Sequence, residues 1–185
     1  MPPPRSARGA PPQGGAASGP AKPAPRRPLG AITVEPLERH PQHVGVVAAL
    51  VYREFWADVE DGMTEAELRA VFGGDAPPGR VLMSLVALEH DVPLGCVHLI
   101  DNDDRSLPEL YPWMAAMVVV PERRGQGIGS LLVRALMREA RAMGFERLWF
   151  GTDGPDFYER LGAQKHLPKS RDFWIMTLPL PLPAA

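Results

Sequence analysis

One stretch limits the folds open to this chain more than any other: residues 113–130, W-M-A-A-M-V-V-V-P-E-R-R-G-Q-G-I-G-S. Met114 to Val120 is an apolar run that ends in β-branched residues, the pattern of a strand buried on both faces. Pro121 stops it. Gly125, Gly127 and Gly129 remove side chains where the backbone turns, and Leu131, Leu132, Ala135, Leu136 and Ala140 begin a helical period beyond them. A strand that passes through such a turn into a helix gathers unpaired backbone N–H groups at the positive end of the helix dipole. That is a site for a phosphate or pyrophosphate.

Spacing separates the phosphate-binding patterns that compete here. A P-loop needs Gly-Lys followed by Ser or Thr, but no lysine follows these glycines, and Ser130 comes directly after Gly129. A dinucleotide fingerprint needs G-x-G-x-x-G within repeated βαβ units, whereas these glycines are evenly spaced and no such repeat is present. Arg124-Gly125-Gln126-Gly127-Ile128-Gly129 fits R/Q-x-x-G-x-G/A. In this run the chain resembles the GNAT superfamily of acyl-CoA-dependent N-acyltransferases. The likeness covers residues 29–180. Strand, V-x-P, glycine turn, long helix, short strand and the F-Y-E-R-L-G segment at 157–162 follow the family's order, and residues 101–113 resemble the D-x-x-x-R…P-W segment of a bacterial branch.

The resemblance implies an α/β (α+β) fold with a mixed, mostly antiparallel central sheet, parallel splayed fourth and fifth strands and flanking helices. The parallel pair also follows from the residues, since two strands joined through one crossover helix run side by side in the same direction. Acetyl-CoA is then the expected cosubstrate. The resemblance assigns its pyrophosphate to Arg124, Gly125, Gln126, Gly127, Ile128, Gly129 and Ser130, and its pantetheine arm to Met117, Val118 and Val119. These three lie where family members carry a bulge that frees backbone groups. Tyr158 matches a tyrosine that lies near the thioester sulfur and can protonate the departing thiolate.

Composition bounds what such a site can belong to. At 185 residues and 45% hydrophobic content the chain suits one globular domain at 29–185, preceded by residues 1–28, which are rich in Pro, Ala, Gly and Arg. Those 28 residues contain no acidic and almost no large apolar side chain, so they are expected to be a disordered tail. A net charge of -2 and pI of about 6.2 give no reason to expect nucleic acid or an anionic membrane as partner. No apolar run has the length of a membrane span or a secretory signal. The single cysteine, Cys96, lies in an apolar strand pattern and reads as a small buried hydrophobe in a cytoplasmic protein.

Earlier in the chain, a first strand begins at Ile32 and a helix follows Pro41, with Val44, Val47, Ala48, Val51 and Phe55 at helical spacing. Thr64 and Glu67 make a capping box for a short helix that Gly73-Gly74 ends. Residues 80–89 and 93–101 read as a hairpin around 90–93, and residues 147–150 and 173–178 as the last two strands.

The implied chemistry is direct attack of a neutral amine on the acetyl-CoA carbonyl, with a backbone N–H near Val118 or Val119 holding the carbonyl oxygen. Many relatives place a carboxylate on the fourth strand, but residues 114–120 contain none. Glu60, His98, Asp101, Asp104 and Glu109 are the candidate bases, and for His98 the commoner role in an apolar strand is a core histidine. Acidic residues at 101–104 could form a mouth that attracts a cationic amine. Trp56 and Trp113 are equally an acceptor wall or core. The histidines lack ligand spacing apart from His40 and His43, which flank a helix start, so no metal is expected. The function expected is an acetyl-CoA-dependent N-acetyltransferase acting on a small-molecule amine or a peptide N-terminus. A non-enzymatic acyl-CoA sensor or accessory protein on the same fold is the alternative.

Overall fold

The computed structural model describes residues 31–75 and 80–180. Residues 1–28, expected to be a disordered tail, lie outside them. The described chain is built on one seven-stranded sheet of order β1-β2-β3-β4-β5-β7-β6. Its strands are β1 (Ile32–Pro36), β2 (Val81–Glu89), β3 (Val92–Ile100), β4 (Trp113–Val119), β5 (Arg147–Thr152), β6 (Gln164–Pro168) and β7 (Trp174–Pro179). Every neighbouring pair is antiparallel except β4 and β5, which are parallel. The helices are α1 (Val44–Val51), α2 (Glu65–Ala70), α3 (Ile128–Ala142) and α4 (Pro155–Glu159). The fold expected from the sequence is the fold found.

Strand alternation divides the core into two layers. In β2, Leu85 and Ala87 pack with β3 residues Val97 and Leu99 against Leu132, Val133, Leu136 and Ala140 of α3. Val86 and Leu88 face the other way, with Cys96 and Val118, onto Val47, Ala48 and Val51 of α1 and Leu68 of α2. Each fully buried Leu or Val here contributes about 1.5–3 kcal/mol relative to exposure. Cys96 is wholly buried, and burial pushes its thiol well above the usual range, so it packs and does not react.

The capping box at α2 forms as read. Glu67 N–H donates to Thr64 Oγ1 at 3.2 Å and Thr64 N–H to Glu67 Oε2 at 2.8 Å. The β2–β3 turn is tighter than expected, because Val92 already belongs to β3. His90 and Asp91 alone make it, both with positive φ (50° and 62°), the backbone of a two-residue hairpin turn whose twist matches the strands.

The sheet has one strand more than the sequence reading finds. All five residues of β6 are exposed, so Gln164–Pro168 carries no inward-facing alternation to reveal it. It is an edge strand held by its pairing with β7.

Candidate acyl-transfer site

Two departures from regular pairing open the sheet at β4. Opposite Val97, β4 holds two residues, Ala116 and Met117: Cys96 pairs with Val118 and His98 with Ala115. Ala116 absorbs the extra residue at φ 47°, a left-handed conformation costing an alanine about 1–2 kcal/mol. Beyond the bulge β3 and β4 close up again, and Gly95 is needed there because a Cβ would meet the Val118 carbonyl oxygen at 2.5 Å. On the other side, β4 meets β5 in register only at Trp113 and Trp149, with Trp149 N–H donating to the Pro112 carbonyl at 3.0 Å. The parallel strands then diverge.

Two cavities lie along this opening. The smaller, of about 390 Å³, runs from Met117, Val118 and Val119 to the glycine turn and the start of α3. Arg124, Gly125, Gly127, Ile128, Gly129 and Ser130 all line it. Gln126 does not, because its side chain accepts from Arg123 Nε at 3.0 Å and donates to the Glu122 carbonyl at 3.3 Å. Gly127 caps α3 at φ 84°, and a Cβ there would meet nothing within 4 Å, so the space before the helix is open. The first intrahelical bond of this turn runs from Leu131 N–H to Gly127 O, which leaves the N–H groups of Ile128, Gly129 and Ser130 at the helix's positive end. Open space, oriented donors and nearby arginines fit a pyrophosphate.

Arg123, Glu54 and Arg160 join the expected residues at this end. Arg123 forks onto Glu89 (2.6 and 3.0 Å), tying the glycine turn to the end of β2. Glu54 bonds Arg124 at 2.8 Å, and Arg160 lines the cavity from beyond α4. Arg160 sits in the quoted F-Y-E-R-L-G segment, so a signal for it existed. Glu54 comes from 70 residues before Arg124, and no local spacing announces that pairing.

The larger cavity, about 1570 Å³, shares Met117 and Glu54 with the smaller one and extends beneath α1 and α2. Consecutive residues of α4 divide between the two: Phe157 faces the smaller cavity, Tyr158 the larger. Tyr158 packs against Phe150 (ring centroids 4.5 Å apart) and Phe157 (4.8 Å). Burial, with a smaller contribution from the Asp153 charge, pushes its pKa up to about 12, so it keeps its proton at neutral pH.

The candidate bases separate by place. Glu60 and His98 line the larger cavity, whereas Asp101, Asp104 and Glu109 do not. Within the acidic mouth expected at 101–104, only Asp103 supplies a cavity-lining carboxylate. Asp101 accepts from Asn102 N–H at 2.6 Å, and Glu109 is exposed elsewhere. Asp104 is 7% exposed. Burial alone would raise its pKa, but bonds from Lys169 (2.8 Å) and Ser106 outweigh that and hold it charged. His98 is 1% exposed, hydrogen-bonded through Nδ1 to Ser84 Oγ at 2.8 Å and stacked on Phe72 at 4.1 Å. Burial lowers its pKa to about 3, which leaves it neutral and weakly basic. Of the two tryptophans, Trp56 lines the larger cavity. Trp113 is not a wall residue: it is fully buried, and its indole N–H donates to the Leu110 carbonyl at 2.6 Å.

The sequence pattern of the acetyltransferase (GNAT) family matches residues 47–163. No curated protein matches the chain. Among solved structures, an aminoglycoside 6'-N-acetyltransferase complexed with coenzyme A superposes with a TM-score of 0.62 at 18% identity, over 82% of this chain and 99% of that one. A GNAT-family acetyltransferase from Streptococcus pneumoniae gives 0.58 at 17% identity, over 82% and 100%. N-acetylglutamate synthase from Neisseria gonorrhoeae, complexed with coenzyme A and N-acetyl-glutamate, gives 0.60 at 16% identity, over 83% of this chain and 36% of that one. At such identities the likeness is one of fold.

Proposed function

The chain belongs to the acetyltransferase (GNAT) family, and from that membership we propose that it transfers the acetyl group of acetyl-CoA to a primary amine by direct attack in a ternary complex. The observation that carries this reading is that the two cavities adjoin at Met117, which lines both beside the bulge at Ala116. A donor held in the smaller cavity and an acceptor held in the larger one would meet there.

In this reading the first-turn N–H groups of α3, with Arg124 and Arg160, hold the pyrophosphate, and β4 from Met117 to Val119 holds the pantetheine arm. A backbone N–H near Val118 or Val119 takes the charge developing on the thioester oxygen. The amine nitrogen bonds the carbonyl carbon, the C–S bond breaks and the thiolate takes a proton, which Tyr158 supplies. The proton lost by the amine goes to solvent or to a carboxylate of the larger cavity. Glu60 and Asp103 there also attract an amine that arrives as a cation. A small-molecule amine or a peptide N-terminus is the acceptor class, and residues 29–185 are the catalytic unit.

Among the described residues no helix is long and apolar enough to cross a membrane. The buried Cys96, in no disulfide, is the feature that supports a cytoplasmic setting. The test is thiol release from acetyl-CoA across a panel of aminoglycosides, polyamines and peptide N-termini, with mass spectrometry of the acceptor. One added acetyl group per thiol released is the expected result. Tight acetyl-CoA binding without turnover of any amine would favour the sensor reading, whose one support is the absence of a carboxylate from β4.

A further inference from the structure

We propose that His40, His43 and Asp91 form a binding site for a divalent transition-metal ion of the zinc type, separate from the acyl-transfer cavities. His40 caps the 3-10 turn Pro41–His43 and His43 ends it, and the two rings stand side by side. Their planes lie 17° from parallel with centroids 6.0 Å apart. Backbone bonds from His40 N–H to Leu37 O (2.8 Å) and from His43 N–H to His40 O (2.9 Å) fix the turn. Asp91, from the β2–β3 turn, faces them. Its Oδ1 is 2.9 Å from His43 Nε2 and 3.9 Å from His40 Nδ1.

One donor atom from each residue lies within 4.8 Å of the others. A tetrahedral zinc ion with bonds near 2.0–2.1 Å needs its donors about 3.3 Å apart, so a small rotation of side chains closes the site. The Asp91 side chain is 66% exposed and free to turn, whereas His43, at 11%, is held by its surroundings, so His40, at 22%, is the ring that moves to bring the two nitrogens together. Two neutral imidazoles and a carboxylate are ligands zinc accepts, and the exposed side of Asp91 leaves room for water as a fourth. The His-x-x-His spacing alone did not define a ligand set; the third donor comes from 48 residues further on.

The experiment uses the full chain without an affinity tag, freed of metal by chelator and titrated with Zn(II) in a calorimeter. One ion per chain should bind, and Co(II) should give the visible ligand-field bands of a four-coordinate site. His40→Ala and Asp91→Asn should each weaken Zn(II) binding at least tenfold. Asn tolerates the left-handed backbone at Asp91, so that variant keeps the turn. His166→Ala, whose ring lies against Trp149, should bind as the parent does. No saturable binding by the parent, or parental affinity in a His40→Ala, Asp91→Asn double variant, would overturn the proposal and leave the trio as a hydrogen-bonded clamp.

Discussion

Arg124 is anchored twice, by its Nε to the Val119 carbonyl at 2.9 Å and by its Nη2 to Glu54 Oε2 at 2.8 Å, so an acid from the segment after α1 holds the guanidinium at the mouth of the glycine turn. Glu54 thereby puts a negative charge where a pyrophosphate is proposed to bind. Arg124→Ala should weaken coenzyme A binding about tenfold to a hundredfold, the scale of one or two charge-assisted hydrogen bonds. Glu54→Gln should tighten it by a few fold, since Val119 still anchors the arginine. Calorimetric titration with coenzyme A checks both, and parental affinity in Arg124→Ala would count against the phosphate role of Arg124.

Gly127 allows charge to be tested apart from strain. Any side chain there must take φ near 84°, which Asp and Asn tolerate about equally well. Gly127→Asp should bind coenzyme A at least tenfold more weakly than Gly127→Asn, because only the former sets an anion against the pyrophosphate. Equal affinities for the two variants would mean that the turn does not hold an anion.

Tyr158→Phe keeps the ring packed against Phe150 and removes the hydroxyl. If that hydroxyl is the general acid, kcat should fall by roughly a hundredfold to ten-thousandfold while acetyl-CoA affinity stays nearly constant. With its pKa at about 12, Tyr158 should add no falling limb to the parent's rate profile below pH 10 or so. Steady-state thiol release across pH measures both effects, and turnover within a few fold of the parent would leave solvent as the proton source.

His98 should make the fold sensitive to acid. The folded chain lowers its pKa from 6.5 to about 3, so below 6.5 an unfolded chain takes a proton that the folded one refuses. Its contribution is fully present above pH 6.5 and is lost as pH falls from there toward 3. Urea unfolding at pH 7 and pH 5 should show the parent losing stability and His98→Gln losing less. An identical loss in the two proteins would place the acid sensitivity elsewhere.

Much of this molecule was legible in the sequence, because its strongest signals are local. The run Met114 to Val120, the three glycines after it and the helical period from Leu131 determine a strand, a turn and a helix by backbone sterics and periodicity alone, and a crossover helix forces β4 and β5 parallel. The Thr64–Glu67 cap and the buried Cys96 are local in the same sense. Other features depend on which surfaces meet. The exposed β6 has no periodic signal and forms because the edge of β7 is available to it. Trp113 became core by packing with Trp149 and Ile175 from the far end of the chain, and His98 lost its basicity to burial under Phe72, not to any neighbour in sequence. The pairs Glu54–Arg124 and His43–Asp91 join residues 70 and 48 positions apart. Spacing cannot encode such partners, because packing of α1 against the sheet, and not the path of the chain, sets the distance between them.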